Sequence, residues 1–304
     1  MDDRVALGID VGGTKVAFVL LDRRGAVLAE RRLVNAEFAG ARALLEAVAR
    51  EARAIAAATP TTSIEGVGVG ICELVGPDGQ IASSTTIPWT RAELEDVLSP
   101  IGPLTVDADV RAAARAEAAF GAGKPYPTFG YVTIGTGISS TFVRDGEPWT
   151  GAHGTAQLLG SSVLTLPCPH CGRVLETCLE DVASGAGIVR RYRERGSADV
   201  RGAVDAIAAA DSGDQAASAI VSEAIQALGS FLALFINLFD PHALVIGGGL
   251  AAGAKGFREC AADVARSRIW APLARSTPIL LGALGGNAGA IGAAWSVLAG
   301  ARTG

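Results

Sequence analysis

Residues 7–21 read LGIDVGGTKVAFVLL: an apolar strand, a Gly-Gly turn, and a second apolar, β-branched strand. Residues 131–144, YVTIGTGISSTFVR, repeat that design around Gly135-Thr136-Gly137. A turn of residues without a Cβ brings backbone N–H groups within reach of a phosphate. Thr14 adds a hydroxyl, and Asp10 puts a carboxylate at the strand end, the kind of hard oxygen ligand that a phosphate-bound Mg²⁺ takes. The competing reading of the first stretch is a plain β-hairpin, for which Gly-Gly is also a favoured turn. Two such blocks facing each other across a cleft would aim both turns at one ligand, which favours the phosphate reading.

The remaining segments alternate strand and helix. Residues 39–58 form an alanine-rich helix with Leu44, Leu45, Val48 and Ile55 at helical spacing. Residues 64–72 (IEGVGVGIC) are a buried strand, 91–98 a short amphipathic helix, 104–106 a strand and 110–120 a helix. Residues 151–187 are loop-rich. A long apolar helix at 216–239 is stopped by Asp240-Pro241, and a strand at 243–246 runs into Gly247-Gly248-Gly249. The last helix, 288–299, follows a glycine-rich start at 284–287. This order predicts mixed α/β layers in two lobes: residues 1–106 with the C-terminal helix 288–304 as the smaller, and 107–287 as the larger.

A chain of 304 residues is long enough to bury two cores, and 49% hydrophobic with 19% charged residues fits a globular protein. The net charge of −5 gives no bulk attraction to nucleic acid or an anionic membrane, so neither is expected as a partner. The start, MDDRVALGID, has no basic segment ahead of an apolar core, so no secretory signal is read. Gln226 and Asn237 interrupt residues 224–239, leaving less than the roughly 20 apolar residues of a bilayer span. The segment reads as a buried helix of a cytoplasmic protein. Three of the five cysteines fall within 168–178, which suits a metal or structural cluster better than a disulfide framework.

The motifs GIDVGGTK (8–15), DADVRAAARAE (107–117), TIGTG (133–137), GAHGTA (151–156), CLEDVASG (178–185), VIGGG (245–249) and GGNAGAIGAA (285–294) occur in one order along nearly the whole chain. In that order and spacing the chain resembles the ROK family of sugar kinases and repressors, of the actin-like ATPase (ribonuclease H-like) superfamily. The resemblance implies a two-lobed α/β fold with a central cleft and an ATP-dependent kinase acting on a sugar hydroxyl. It makes Asp109 the general base; the alternative for that residue is a simple helix N-cap. It assigns phosphate contacts to Gly12, Gly13, Thr14 and to Thr133, Gly135, Thr136, Gly137. Gly247, Gly248 and Gly249 would face the adenosine, and Asp10 would hold Mg²⁺ through water. Lys15 is either a charge on the turn or a solvated side chain.

The acceptor side departs from the family pattern. Where typical sugar kinases of the family read E-N-D-x-N, this chain has Asp107-Ala108-Asp109-Val110-Arg111, and their G-E-x-G-H is Gln157-Leu158-Leu159-Gly160-Ser161 here. Of the family's acidic sugar contacts Glu180 survives. His153 is either an acceptor contact or a loop residue, and Arg111 either reaches an anionic or unusual polar group or is a surface arginine. Three lost partners at about 1–1.5 kcal/mol each weaken a glucose-like ligand by two to three decades. The expected acceptor is therefore a less common sugar or a cyclitol.

Family members commonly bind Zn²⁺ with a histidine and three cysteines. The matching set here is Cys168, Cys171 and Cys178 with His170 as fourth ligand, against the alternative of metal-free cysteines. Cys72 and Cys260 read as core residues, and His242 as structural. Trp89 and Trp149 are either acceptor-stacking or packing residues. The resemblance also implies a homodimer, with 216–239 as an interface or a core helix. The competing function is a catalytically weak or inactive sugar sensor of the family; too few residues precede the first strand for the DNA-binding domain of its regulators.

Overall fold

The computed structural model describes residues 4–59, 64–167, 170–171, 173–196 and 200–300. The order is β1 (Val5–Val11), β2 (Lys15–Asp22), β3 (Val27–Val34), α1 (Ala41–Ala57), β4 (Ile64–Ile71), α2 (Arg91–Leu98), β5 (Leu104–Ala108), α3 (Asp109–Phe120). There follow β6 (Thr128–Ile134), β7 (Ile138–Arg144), β8 (Glu147–Pro148), β9 (Leu164–Pro167), β10 (Val174–Thr177), α4 (Leu179–Ala183), α5 (Gly185–Glu194) and α6 (Ala203–Asp211). The chain ends with α7 (Gln215–Phe239), β11 (Ala243–Gly247), α8 (Gly249–Gly253), α9 (Lys255–Arg268), β12 (Ile279–Leu281) and α10 (Ala288–Gly300).

The architecture is α/β, and the chain divides into two compact units. The first comprises Met1–Pro127, Val143–Ala156 and Gly286–Gly304; the second comprises Thr128–Phe142 and Gln157–Gly285. The sheet of the first unit runs β3-β2-β1-β4-β5. β1 is antiparallel to β2 and parallel to β4, and β4 is parallel to β5. Residues alternate between faces of a strand. Leu7, Ile9, Val67 and Val69 form a core with Leu44, Leu45, Val48 and Ile55 of α1. Gly8 and Gly68 belong to the other alternation and let α10 lie against the sheet: a Cβ on either would fall within 1.9 Å of a carbonyl of α10.

Helix α3 belongs to this first unit as well, which moves the expected boundary from residue 106 to residue 127. The reason is its packing against α10, so close that a Cβ at Gly292 would lie 1.7 Å from the Ala112 carbonyl oxygen. Helix α2 starts with a capping box: Thr90 Oγ1 accepts from the Glu93 N–H, and the Glu93 carboxylate accepts from the Thr90 N–H.

In the second unit the strands run β12-β11-β6-β7; the last residues of β7, Val143 and Arg144, pair with β8 and count with the first unit. Its core gathers around α7, whose Phe231, Leu232, Phe235 and Ile236 are buried. Helix α7 has 25 residues, so length and composition alone would let it cross a membrane, contrary to the estimate from 224–239. It packs instead as a core helix, with 56% of its apolar window buried. Asp214 caps its start through the Ala217 N–H, and Asp240 ends it in the left-handed region ahead of Pro241. The span 151–187, read as loop-rich, carries the β9–β10 hairpin and α4 among its loops.

Candidate active site

Asp10 and Asp109 stand on neighbouring parts of the first unit. Asp10 pairs in register with Gly70, and Gly70 pairs with Asp107. A Cβ on Gly70 would contact the Asp109 Cα at 3.4 Å and Asp10 Oδ1 at 3.7 Å, so the bare strand leaves room between the two acids. Burial pushes the Asp10 carboxyl from 3.8 up to about 7; the charge of Asp109 adds to the rise and Lys15 opposes it. Burial also lifts Asp109, to about 6, against the Val110 N–H that its Oδ1 accepts at 2.6 Å. Asp107 and Glu73 raise it further, and Arg111 opposes. Asp109 is the first residue of α3 and not its N-cap, which is Ala108.

The first turn is held from behind. Gly12 donates to the Lys15 carbonyl at 3.0 Å, and Asn35 Nδ2 donates to the Gly12 carbonyl at 2.9 Å. Gly13, Thr14 and Lys15 are exposed. Gly13 has a local reason to be glycine: its Cβ would lie 2.9 Å from Thr86 Cγ2. At the start of α10, a Cβ on Gly289 would lie 2.4 Å from Asp10 Cγ, so this helix end closes on the carboxylate. Lys15 Nζ and Arg32 reach the neighbourhood of Gly286, and Arg32 Nη2 donates to Asn287 Oδ1 at 2.9 Å.

Arg111 overturns one of the two expectations made for it. It is only 6% exposed, so it is no surface arginine, and its donors stay inside the protein. Nε donates to Asp107 Oδ1 at 2.6 Å, Nη1 to the Gly154 carbonyl at 2.6 Å and Nη2 to the Val75 carbonyl at 2.8 Å. It is a clasp that ties the His153 loop and the segment following β4 to the base of α3. Gly154 must be glycine there, with φ +74° and the Val75 carbonyl 2.2 Å from where its Cβ would be. His153 itself is exposed. A cavity of about 380 Å³ lined by Asp107, Arg115, Glu147, Thr150 and Ser296 opens beside the clasp; neither Asp10 nor Asp109 lines it.

In the second unit the Gly135-Thr136-Gly137 turn is anchored to the start of α5, where Gly185 donates to the Gly135 carbonyl at 2.8 Å and Ala186 to the Thr136 carbonyl at 3.1 Å. Thr133 is half-buried at the end of β6, in register with Gly247. Glu180 sits on this turn: Oε1 accepts from the Ile138 N–H at 2.7 Å, and Oε2 from the Ser161 hydroxyl at 2.6 Å. In the run 247–249, two glycines answer to packing: a Cβ would meet Tyr131 at Gly247 and the Ile134 carbonyl at Gly248, while Gly249 is open.

The zinc set is not assembled among the described residues: no three His, Cys, Asp or Glu side chains there converge on a metal position, and Cys168 lies outside them. His170 and Cys171 are exposed, and the Cys178 thiol, raised by burial, donates to Asp181 Oδ2 at 3.2 Å. Cys260 is exposed on α9 and not in the core, because the polar side of that helix carries it; Cys72 is half-buried against the first core. Trp89 is packing, with its indole N–H on the Ala41 carbonyl at 3.0 Å, and Trp149 is exposed. His242 closes a local pair with Thr128 through Nδ1 at 2.6 Å.

Sequence reasoning missed Asn35, which holds the first turn, and Glu73, which is buried beyond β4. The polar Glu73 directly after an apolar strand was the available signal for the second.

The ROK family model matches residues 6–299. A glucokinase of Halalkalibacterium halodurans is 29% identical over 319 residues, spanning 98% of this chain and 96% of that protein. A kanosamine kinase of Amycolatopsis mediterranei is 30% identical over 253 residues, 81% of each chain. A crystal structure of a ROK family glucokinase from Streptomyces griseus, in complex with glucose and AMPPNP, superposes with a TM-score of 0.79 at 27% identity, over 95% of this chain and 98% of that one.

Proposed function

Because the chain belongs to the ROK family, we propose that it is an ATP-dependent kinase transferring a phosphoryl group to a hydroxyl of a sugar or sugar-like polyol, cyclitols included. One observation supports this above others: Asp109 opens α3 with a carboxyl lifted by burial to about 6, where a general base works near neutral pH. The acceptor oxygen attacks the terminal phosphorus of ATP as its proton passes to Asp109, and the bond from that phosphorus to the ADP oxygen breaks. Phosphoryl transfer needs little more than such positioning and charge stabilisation.

Gly12, Gly13, Thr14 and Lys15 are the first unit's candidates for the phosphates; Thr133, Gly135, Thr136 and Gly137 are the second unit's, with Gly247, Gly248 and Gly249 for the adenosine. Asp10 fits a divalent cation, since a carboxyl lifted to about 7 by burial and by a second acid has a charge deficit nearby that a cation supplies. We assign it to Mg²⁺, which when bound neutralises phosphate charge. Glu180 and His153 are acceptor candidates. Arg111 acts on the acceptor only through the loop that it holds. We further propose a cytoplasmic homodimer, for which the exposed Leu234 and Leu238 of α7 offer an apolar face.

Coupled ATP turnover across a panel of sugars and cyclitols tests the reading. Turnover of one acceptor well above the ATP-only rate is the expected result. Acceptors that shift the melting temperature without being phosphorylated would instead mark an inactive sugar sensor.

A further inference from the structure

Glu73 lies just past β4 and is 6% exposed. Its Oε2 accepts from the Thr85 N–H at 2.9 Å and from the Ser83 hydroxyl; its Oε1 accepts from the Thr86 N–H at 2.5 Å and the Ile87 N–H at 2.8 Å. Ser83 Oγ accepts in turn from the Leu74 N–H at 2.8 Å. A buried carboxylate is costly unless donors surround it, and these donors hold it below the ordinary glutamate range against the upward push of burial. Its four partners among the described residues all come from one segment, residues 83–87.

That segment is also held at its C-terminal end. Ile87 is buried in the first core, and Thr86 Cγ2 lies 2.9 Å from where a Cβ on Gly13 would be. Ahead of Ile87, Ser84, Thr85 and Thr86 stay exposed, and among the described residues no hydrogen bond engages their hydroxyls. Glu73 also stands near enough to Asp109 for its charge to act there, and Cys72, its neighbour, feels the charges of Asp109, Glu73 and Asp10 together. Thr86 therefore adjoins the first glycine turn at Gly13, with the exposed hydroxyls of Ser84 and Thr85 next to it in the chain. Where Ala108 offers no polar partner, these hydroxyls do.

We propose that Glu73 is a positioning residue that sets residues 83–87 against the first turn, so that the hydroxyls of Thr85 and Thr86 bind the acceptor and select for its hydroxyl pattern. The inference rests on the kinase reading above. The buried charge fixes the backbone of this loop, and with it the positions of the hydroxyls that the loop leaves exposed.

The test is steady-state kinetics with the best acceptor of the panel. Thr86→Val keeps the methyl that packs on Gly13 and removes the hydroxyl, and Thr85→Val does the same next door. At least one of them raises the acceptor KM about tenfold, the worth of one hydrogen bond, with kcat and the ATP KM within about threefold of wild type. Glu73→Gln raises the acceptor KM at least as much, and adding Thr86→Val to it changes KM by less than about threefold, since the hydroxyl is already misplaced. If Glu73→Gln does not fold, Ser83→Ala, which removes one donor to Glu73, takes its place with the same expectation. An acceptor KM within about threefold of wild type in both threonine variants overturns the proposal, as does a Glu73 or Ser83 variant that raises the ATP and acceptor KM equally. A wild type that turns over no acceptor overturns the kinase reading and this proposal with it; an active wild type with unchanged KM in the variants overturns this proposal alone.

Discussion

Replacing Asp109 by asparagine removes a charge that the fold holds at a disadvantage, so the variant gains stability at neutral pH even as it loses turnover. Burial lifts this carboxyl from 3.8 to about 6. At about 1.36 kcal/mol per pH unit, that gap corresponds to about 3 kcal/mol. Its sign follows from a folded state that holds the proton more tightly than the unfolded one. The contribution is present in full below 3.8 and is lost as pH rises through 6, so at pH 8 the wild type lacks it. Asparagine has no charge to bury and keeps an oxygen for the Val110 N–H, bonded at 2.6 Å in the wild type. It also removes the charge that helps to raise Asp10, which then titrates lower. Urea denaturation of both proteins in EDTA at pH 8 and pH 5 measures the effect. After relaxation of the site, the variant is more stable by about 1–3 kcal/mol at pH 8, and the gap narrows at pH 5. An asparagine variant no more stable than wild type at pH 8, or a gap that widens on acidification, refutes the reasoning.

Other substitutions test the scaffold around the site. Gly289→Ala sets a Cβ 2.4 Å from Asp10 Cγ, so it displaces that carboxylate; ATP turnover falls and stability drops by about 1–3 kcal/mol, read by kinetics and thermal denaturation. Gly292→Ala meets the Ala112 carbonyl at 1.7 Å and forces α3 and α10 apart, with a loss of about 3 kcal/mol or more in the same melt. Arg111→Ala leaves Asp107 with one guanidinium fewer and two carbonyls unpaired, for about 3–5 kcal/mol, and protease cleavage near Gly154 speeds up. Glucose is a poor acceptor, with kcat/KM below about 10⁴ M⁻¹s⁻¹ in the coupled assay.

Much of the scaffold is legible in the residues because strand, glycine turn and strand are local patterns. The opening run lies in β1 and β2, its repeat in β6 and β7, and helix 91–98 coincides with α2 because Thr90 and Glu93 announce their cap. What escaped is long-range. Helix α3 joins the first unit through contact with α10, which no local spacing shows. Arg111 looked free in sequence because its partners, Val75 and Gly154, come from remote segments. The same holds for Glu73, whose donors lie ten and more residues on. Gly13, Gly247 and Gly248 show a further ambiguity: a glycine kept for close packing reads like one kept for a phosphate. Cys260 misled because Ala261 and Ala262, which follow it and are buried, give an apolar neighbourhood in sequence to a residue on the solvent side of the helix.

Whether Asp109 takes the proton from an acceptor hydroxyl is measured most directly by comparing wild type and Asp109→Asn in coupled ATP turnover on one good acceptor, at saturating ATP and Mg²⁺. A base in that role predicts a fall in kcat of about 10²–10⁴ with the variant fully folded. A variant that keeps its rate within about threefold of wild type contradicts it, since a general base contributes far more than that.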